Sequence, residues 1–133
     1  MAASKNITLY YTLEQDLVCI CDVNTTKIIF RNLIDNAIKY TPAGGGVTVS
    51  AQQRELLCAV TVQDTGIGMA QSIIEALFTK KSARIQQDAS GRRSTGIGLW
   101  LVKNMAEQNG GALHISSVEG VGTTMTVTLP LAL

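Results

Sequence analysis

The chain has 133 residues, which is enough for one domain with a hydrophobic core. Its 11 lysines and arginines and 10 acidic residues leave a net charge of +1, which gives no general signal for nucleic-acid binding. There is no signal peptide, no apolar run of the roughly 18 residues that a membrane-spanning helix needs, and no C-x-x-C spacing among the three cysteines. These features argue against nucleic-acid, membrane-spanning and zinc-binding classes, and they favour a cytosolic domain with reduced thiols.

The first third of the chain predicts a pair of strands and then a long helix. Residues 5–13 and 16–21 alternate and are rich in β-branched side chains, as paired strands are. The helix that follows has candidate caps at Asp22, Asn24 and Thr25, and it ends before Pro42 because proline disfavours helical geometry in the residue before it. The glycine-rich segment 43–46 is expected to be a flexible joint.

Two further strand pairs and two helices are predicted in the rest of the chain. In order they are strands at 47–53 and 56–62, a short helix at about 70–78, a helix from 95 to about 109 that the glycine pair Gly110-Gly111 ends, and strands at 112–118 and 123–129. A loop over about 79–94 carries five of the 11 basic residues, and loops of that length are usually functional or disordered. This order predicts an α/β fold over 1–133, a two-layer sandwich with helices on one face of a mixed, mostly antiparallel sheet.

Polar side chains form one stripe of the long helix. At about 100° per residue, Asn32, Asn36, Lys39 and Tyr40 fall within roughly 100° of arc, beside the apolar stripe rather than opposite it. Amides at i and i+4 share a face, and a carboxamide oxygen is a hard ligand that suits Mg²⁺. Lys39 can meet phosphate charge, and Tyr40 can offer a ring to a base. The stripe is typical of a cleft wall, although two asparagines on a helix are also common as surface residues.

Two glycine-containing motifs lie at the ends of predicted elements. Asp64, Gly66 and Gly68 follow a strand, where a carboxylate can accept a hydrogen bond from an exocyclic amine and glycines let backbone approach a flat ring. A strand-to-helix turn explains this motif equally well. The segment 95–99 opens a helix, and the first N–H groups of a helix favour an anion. Each motif alone is weak evidence for a site, since neither matches a dinucleotide or Walker-type fingerprint.

The order and spacing of these segments resemble the GHKL superfamily and, more narrowly, the ATP-binding catalytic domain of bacterial sensor histidine kinases. The match covers nearly the whole chain. Residues 32–40 resemble the N box of that family, and 64–69 resemble its first glycine box. Phe78 resembles its F box, 95–99 its second glycine box, and 122–124 its third. The resemblance implies a Bergerat-type ATPase fold.

The resemblance also implies a site for ATP and Mg²⁺ and gives each matched residue a role. Asn36 would bind Mg²⁺ through its side-chain oxygen, and Asn32 would support the metal and the phosphates. Lys39 would contact phosphate, Tyr40 would pack on adenine, and Asp64 would accept the adenine amine. The first three of these residues would form the catalytic set. The other implied nucleotide contacts, with Thr124 lining the base pocket, are Gly66, Ile67, Gly68, Met69, Phe78, Thr95, Gly96, Ile97, Gly98, Leu99 and Thr124.

Two positions of the predicted lid loop, 79–94, depart from the family pattern. Thr79 stands where a second phenylalanine often follows the first, and Ser94 stands where a glycine often precedes the second glycine box. The lid is therefore expected to close differently. Its lysines and arginines are candidates for γ-phosphate contacts and, equally, for a solvated basic surface.

Asn32 discriminates between reactions within the superfamily. Gyrase-, MutL- and chaperone-type relatives carry there a glutamate that activates water, whereas an amide at neutral pH cannot take up a proton. The resemblance therefore favours a protein-histidine kinase that holds ATP for an imidazole on a separate phosphoacceptor domain of the same parent, upstream of a response regulator. His114 lies in a predicted strand and fits no phosphoacceptor pattern.

The chain is accordingly expected to be a cytoplasmic fragment of a longer sensor kinase. Alone it would bind Mg-ATP without autophosphorylating. It would be a monomer, because the contacts of the homodimeric parent lie in the phosphoacceptor domain. Two alternatives stay open at this point: a degenerate, nucleotide-free module that docks on a partner, and a free-standing ATPase of the gyrase type.

Overall fold

A computed structural model of the protein describes residues 6–13, 23–78, 86–87, 93–94 and 97–130, and in it a layer of strands is covered by helices. The two-layer α/β fold predicted from the sequence is confirmed. The elements in chain order are β1 (Thr8–Leu13), α1 (Val23–Lys39), β2 (Gly46–Arg54), β3 (Leu57–Asp64), α2 (Gln71–Phe78), β4 (Gln86–Gln87), β5 (Arg93–Ser94), α3 (Ile97–Gln108), β6 (Ala112–Val118) and β7 (Gly122–Pro130).

The described strands form a five-stranded sheet in the order β1-β2-β3-β7-β6 and a two-stranded sheet of β4 and β5. In the larger sheet β1 runs parallel to β2, and the other neighbouring strands are antiparallel. The sheet is therefore mixed and mostly antiparallel, as predicted. Parallel strands need a crossover connection, and α1 supplies one between β1 and β2.

Alternating side chains of the central strands build the hydrophobic core. In β7 every second residue from Thr123 to Leu129 is buried, as expected of a strand that has one covered face. The helices α1 and α3 lay their apolar sides on that face. Its fully buried side chains include Ile29, Leu33, Val47, Val102 and Val127.

The opposite face of the sheet, called the open face below, carries uncharged polar side chains. Thr48, Gln63, Thr124 and Ser116 form one cross-strand row on it through β2, β3, β7 and β6. Successive residues of a strand point to opposite faces, so this row faces away from the helices. His114 lies on the same face and is exposed, in agreement with the prediction of an ordinary strand histidine.

The first strand has a partner that the sequence did not predict. Its expected partner, 16–21, lies outside the described residues, and β1 pairs in parallel with β2, so that Leu9 lies beside Val47. The turn before β2 takes part in this pairing, because the Gly45 carbonyl accepts a hydrogen bond from the Thr8 N–H at 3.1 Å. The segment 43–46 thus forms a hydrogen-bonded turn beside β1, and its predicted flexibility stays a prediction. Alternation identifies a strand but not its partner, which explains why the pairing with β2 was not predicted, and the pairing with 16–21 stays a prediction.

The end of α3 is stabilised by the glycine pair that the sequence predicted. Gly110 has a φ of +81°, a left-handed conformation that favours glycine. Its N–H donates to the Glu107 carbonyl at 3.1 Å, and the Gly111 N–H donates to the Ala106 carbonyl at 2.9 Å. This pair of hydrogen bonds is a Schellman motif, which satisfies carbonyl groups that the end of a helix leaves open.

Part of the predicted lid loop forms a short strand pair, in which Gln86 lies opposite Ser94 and Gln87 opposite Arg93. The other residues of 79–94 lie outside the described part of the chain. The predicted phosphate contacts of the basic loop residues therefore stay predictions.

Cys58 is buried and forms no disulfide, as expected of a reduced thiol. The other two cysteines lie outside the described residues. Within the described segments, no helix combines the length and the apolar character needed to span a bilayer.

Candidate functional site

Three polar side chains form one cross-strand row at the end of the covered face of the sheet. Ser117 of β6 lies opposite Thr123 of β7, and Thr123 lies opposite Asp64, the last residue of β3. The next row on the same face is apolar and includes Met125 and Val62. The covered face thus changes from apolar to polar at this row, which makes the row the centre of a candidate site.

Asp64 is a buried carboxylate with one oxygen held by the protein. The residue is 5% exposed, and its Oδ1 accepts hydrogen bonds from the Gly66 N–H at 2.9 Å and the Thr123 N–H at 3.1 Å. Burial raises the pKa of Asp64 above its ordinary value, and the two N–H bonds offset part of that rise. No donor among the described residues bonds to Oδ2. This second oxygen can therefore accept a hydrogen bond from a bound molecule.

The loop that follows β3 is held between the end of α1 and the β6–β7 hairpin. The Ile67 N–H donates to the Tyr40 carbonyl at 3.0 Å, and the Ile67 carbonyl accepts from the Gly120 N–H at 2.8 Å. The Met69 N–H donates to Ser117 Oγ at 2.7 Å. The position of the loop is thus fixed by three hydrogen bonds from two directions.

Gly66 and Gly68 allow this loop to pack closely against the protein backbone. A Cβ atom on Gly66 would lie 2.2 Å from the Tyr40 carbonyl oxygen, and one on Gly68 would lie 2.2 Å from the Val118 carbonyl oxygen. Gly68 also has a φ of +72°, which disfavours other residues. The sequence interpretation connected these glycines with a flat ring. Their close contacts within the protein are with its own carbonyl groups, and the approach to a ring stays a prediction.

The two asparagines of α1 keep acceptor oxygens that the described residues do not occupy. Both residues are partly buried. The Asn32 Nδ2 donates to the Ile28 carbonyl of the same helix at 2.8 Å, which leaves its Oδ1 without a donor among the described residues. The Asn36 side chain forms no hydrogen bond with any of the residues that the structure describes. Both amide oxygens are therefore open to a ligand.

Tyr40 joins the polar stripe of α1 to the loop after β3. Its N–H donates to the Asn36 carbonyl at 3.1 Å, and its own carbonyl accepts the hydrogen bond from Ile67. The side chain is 6% exposed, whereas the preceding Lys39 is exposed. The predicted cleft wall and the loop that carries Asp64 therefore meet at the end of α1, and the predicted stacking of Tyr40 on a base stays a prediction.

Met69 and Leu99 contribute their side chains to the core. Each is 4% exposed, and both belong to the main hydrophobic cluster. In a nucleotide pocket, Met69 and Leu99 would therefore contribute backbone atoms, or side chains that form the floor of the pocket.

The remaining members of the predicted site lie at helix ends or outside the described residues. Phe78 is the last residue of α2, and Ile97 and Gly98 are the first two of α3, but nothing is described of these side chains. The start of α3 agrees with the helix predicted from 95 onward. The residues of the second glycine box that lie outside the described part are Thr95 and Gly96.

Thr124 lies on the wrong face of the sheet to line a pocket with Asp64. It pairs with Gln63 on the open face, while Thr123 pairs with Asp64 on the covered face. The prediction for Thr124 is therefore wrong by one residue, because neighbouring residues of a strand point in opposite directions. Thr123 is the threonine that belongs to this site.

The sequence interpretation missed both Thr123 and Ser117. A signal for Thr123 is present, since Met125, Val127 and Leu129 follow it at intervals of two and are apolar, which puts all four on the buried face. No comparable signal identifies Ser117. Its place depends on the register between β6 and β7, which the sequence alone does not give.

The described residues offer amide ligands for a metal ion rather than a carboxylate cluster. No group of three or more His, Cys, Asp and Glu side chains that could hold a metal occurs among them. Mg²⁺ usually keeps several waters and takes few protein ligands together with phosphate oxygens. The open amide oxygens of Asn32 and Asn36 fit this mode of binding.

Comparisons with known proteins give a consistent family. A model of the family described as histidine kinase-, DNA gyrase B- and HSP90-like ATPases matches residues 21–133. An uncharacterized sensor-like histidine kinase of Rhizobium meliloti is 47% identical over 110 residues, which cover 82% of this chain and 21% of that protein. The sensor histidine kinase WalK of Bacillus subtilis is 35% identical over 119 residues, which cover 88% of this chain and 20% of that protein. The chain spans about a fifth of the length of these relatives.

A solved structure with the same fold is that of full-length ShkA in complex with AMPPNP. It superposes with a TM-score of 0.81 at 25% sequence identity, over 98% of this chain and 27% of that one. The likeness covers both the sheet and the helices that carry the candidate site.

Proposed function

This chain belongs to the family of histidine kinase-, DNA gyrase B- and HSP90-like ATPases, and from that membership we propose that it binds Mg-ATP as the catalytic domain of a longer sensor kinase. The γ-phosphate is donated to a histidine on a separate phosphoacceptor domain. The observation that carries the proposal is the geometry of Asp64, a buried carboxylate with a single open oxygen at the polar end of the covered face.

Asp64 is suited to recognise the exocyclic amine of adenine. A buried acceptor that lacks a protein donor rejects ligands that cannot donate a hydrogen bond to it, because an unpaired polar group in the interior is costly. The two backbone N–H groups on Oδ1 fix the direction of the carboxylate. Recognition of the amine is thus built into the apo protein.

The α1 stripe is suited to the phosphate end of the nucleotide. Asn36 and Asn32 present open amide oxygens, of which the first binds Mg²⁺ and the second supports the metal and the phosphates. Lys39 follows one turn later, is exposed, and adds a positive charge. The bound Mg-ATP supplies the phosphoryl group and a metal ion that neutralises its developing charge.

The residues of this chain contribute to phosphoryl transfer by position and charge rather than by proton transfer. Asn32 occupies the place of the water-activating glutamate of the hydrolysing relatives, and an amide cannot accept a proton at neutral pH. The nucleophile is the imidazole of the phosphoacceptor domain. Holding the nucleotide in a fixed geometry for that imidazole is the catalytic contribution of this chain.

The partners of the domain follow from the kinases that it resembles. They are the phosphoacceptor domain of the same parent and a response regulator that receives the phosphoryl group. We place the domain in the cytoplasm, as a monomer by itself and as part of a homodimeric parent. The similarity of this chain to about a fifth of each sensor kinase supports the view that it is one domain of several.

Calorimetric titration with Mg-ATP tests the proposal. We expect saturable binding by the native protein and at least a roughly 100-fold weaker affinity for Asp64→Asn, because the amide nitrogen would face the adenine amine donor to donor. Glu55→Gln is the matched control, since it removes a carboxylate from an exposed turn at the opposite end of β3. Absence of saturable binding at millimolar nucleotide would overturn the proposal, and equal affinity of Asp64→Asn would overturn the role of Asp64.

Incubation of the isolated chain with labelled ATP separates a kinase domain from a free-standing ATPase. We expect neither self-labelling nor release of inorganic phosphate above the uncatalysed rate, because the acceptor imidazole is supplied by another domain. Steady phosphate release that disappears in Asn36→Ala would instead favour the gyrase-type reading.

A further inference from the structure

Ser117 provides a side-chain connection between the β6–β7 hairpin and the loop after β3, beside the backbone bond from Gly120 to Ile67. Its Oγ lies 2.7 Å from the Met69 nitrogen, 3.0 Å from the Gly122 carbonyl oxygen and 2.8 Å from Thr123 Oγ1. One hydroxyl therefore contacts the loop, the turn and the neighbouring strand. Nothing in the activity proposed above assigns a role to it.

One arrangement of hydrogens satisfies all three contacts of this hydroxyl. A serine hydroxyl has one donor and two acceptor positions. The carbonyl of Gly122 can only accept, so Ser117 donates to it, and Ser117 then accepts from the Met69 N–H and from the Thr123 hydroxyl. The full capacity of the Ser117 oxygen is used, and the orientation of the Thr123 hydroxyl is fixed as a consequence.

These contacts lead directly to Asp64. The Thr123 N–H provides one of the two hydrogen bonds to Asp64 Oδ1, and the loop held through Met69 begins with the Gly66 N–H, which provides the other. Both donors that orient the carboxylate are therefore attached to elements that Ser117 ties together. A side chain that does not touch the open oxygen Oδ2 can still determine where that oxygen points.

We propose that Ser117 is a positioning residue that aims the Asp64 carboxylate and so sets the discrimination of the site for a purine with an exocyclic amine. The inference rests on the proposed binding of ATP and goes beyond it by assigning base selectivity to a residue outside the nucleotide contacts. Loss of the Ser117 hydroxyl removes its hydrogen bond to the loop and leaves the Gly120–Ile67 bond to hold the loop to the hairpin, so that Oδ2 meets the amine in a poorer geometry.

The chain provides a matched control in the neighbouring serine. Ser116 is exposed on the open face and pairs with Thr124, so its side chain points away from Asp64. Ser116→Ala removes the same chemical group from the same strand. Ser117→Thr keeps the hydroxyl and serves as the conservative variant.

The experiment compares the affinity of each variant for Mg-ATP and for the triphosphate of purine riboside, which lacks the exocyclic amine. We expect the dissociation constant of the purine riboside triphosphate divided by that of Mg-ATP to fall about five- to tenfold in Ser117→Ala. The ratio should stay within about twofold of native in Ser116→Ala and in Ser117→Thr. Equal weakening of both nucleotides, or an unchanged ratio, would overturn the inference, because a merely structural role affects both ligands alike.

A second measurement decides the inference without nucleotide. Carbon NMR titration of the Asp64 carboxyl group in the apo protein should give a higher pKa in Ser117→Ala than in native protein, because looser N–H bonds stabilise the carboxylate less. Ser116→Ala should leave this pKa unchanged. If native protein binds neither nucleotide, the proposed function fails, while this titration still shows whether Ser117 positions Asp64. Should Ser117→Ala not fold, Thr123→Val, which removes the hydroxyl linked to Ser117 but keeps the backbone N–H, takes its place with the same expected direction.

Discussion

The two sides of the candidate site differ in how far the protein has satisfied its own polar groups. At the end of the strands, Asp64 is buried and receives two backbone N–H groups, and the loop after it is held from two directions. On α1, Asn32 uses only its Nδ2, in a bond to its own helix, and the Asn36 side chain bonds to none of the described residues. Apart from Asp64 Oδ2, the polar groups on the strand side are thus satisfied within the protein, whereas those on the helix side keep open acceptor oxygens among the described residues.

This difference assigns specificity and charge compensation to different parts of the fold. A rigid acceptor discriminates between bases because it cannot adapt to a ligand that lacks the matching donor. Amide oxygens on a helix surface can adjust to a hydrated metal ion, which requires an octahedral shell rather than a fixed protein cage. The two sides should therefore respond differently to substitution.

The largest effect is expected from Gly66→Ala, a substitution in the loop after β3 on the strand side of the candidate site. The added Cβ would lie 2.2 Å from the Tyr40 carbonyl oxygen, so the loop must separate from the end of α1. We expect a loss of about 3 kcal/mol in the free energy of unfolding and of about 100-fold in ATP affinity. Thermal unfolding and calorimetry measure the two quantities. Gly46→Ala is the control, since its nearest neighbour is the Tyr10 ring at 3.3 Å, and a similar loss there would contradict this account.

Asn36→Ala should weaken nucleotide binding by about 30-fold with Mg²⁺ present and by no more than about threefold in EDTA. The reason is that the amide is expected to act through the metal. Its removal should leave the melting temperature nearly unchanged, because the side chain has no hydrogen bond with the described residues to lose. Asn109→Ala, at the far end of α3, controls for the removal of a helix amide. An equal loss in EDTA would show that Asn36 does not act through Mg²⁺.

Besides weakening ATP binding, Asp64→Asn should make the apo protein slightly more stable at pH 7. Burial raises the pKa of Asp64, so the folded state binds its proton more tightly than the unfolded state does. The contribution of Asp64 to the free energy of unfolding is then greatest below its ordinary pKa of 3.8, and it falls as the pH rises through the raised pKa of the folded state. Asp64→Asn has no carboxyl group to ionise in the interior. The melting temperature of the variant should therefore rise relative to that of native protein from pH 3.8 upward, by a few degrees.

Urea unfolding of the two proteins between pH 3.5 and 7 would measure this difference. Other carboxylates titrate alike in both proteins and cancel in the comparison. A variant that is less stable than native protein at pH 7 would show that the carboxylate stabilises the apo fold, contrary to the direction expected from its burial.

The smallest effect is expected from Thr124→Val, which lies on the open face. Its ATP affinity should stay within about twofold of native, whereas Thr123→Val should lose about fivefold because the Thr123 hydroxyl belongs to the network at Asp64. Parallel titrations of the two variants provide the measurement. A larger loss in Thr124→Val than in Thr123→Val would reverse the assignment of the two faces.

The sequence alone predicted most of the fold because hydrophobic periodicity and glycine positions are local signals. The alternation in β7, the apolar stripe of α1 and the glycine pair after α3 all indicated the elements that the structure contains. The parallel pairing of β1 with β2 was not predicted, since a strand pattern does not contain the identity of its neighbour, and the predicted pairing with 16–21 stays a prediction.

The candidate site was predicted in type but not in arrangement. Asp64 and the amide stripe were proposed as site residues because their types and spacing suit metal and amine recognition, and those roles stay predictions. Thr123 and Ser117 were missed because their contribution depends on cross-strand register. The roles of Gly66 and Gly68 were interpreted through a ligand, although the nearest atoms are carbonyl groups of the protein.

The hydrogen bond from the Thr123 N–H to Asp64 spans 59 positions of sequence. A ribosome must therefore have released nearly the whole domain before the carboxylate acquires its second donor, and closing so long a loop is slow and entropically unfavourable. The nascent chain can form α1 and the β2–β3 hairpin early, yet it gains a finished purine pocket only when the last hairpin docks. Nucleotide present during synthesis would accordingly bind late. It would stabilise a domain that has already folded rather than direct its folding.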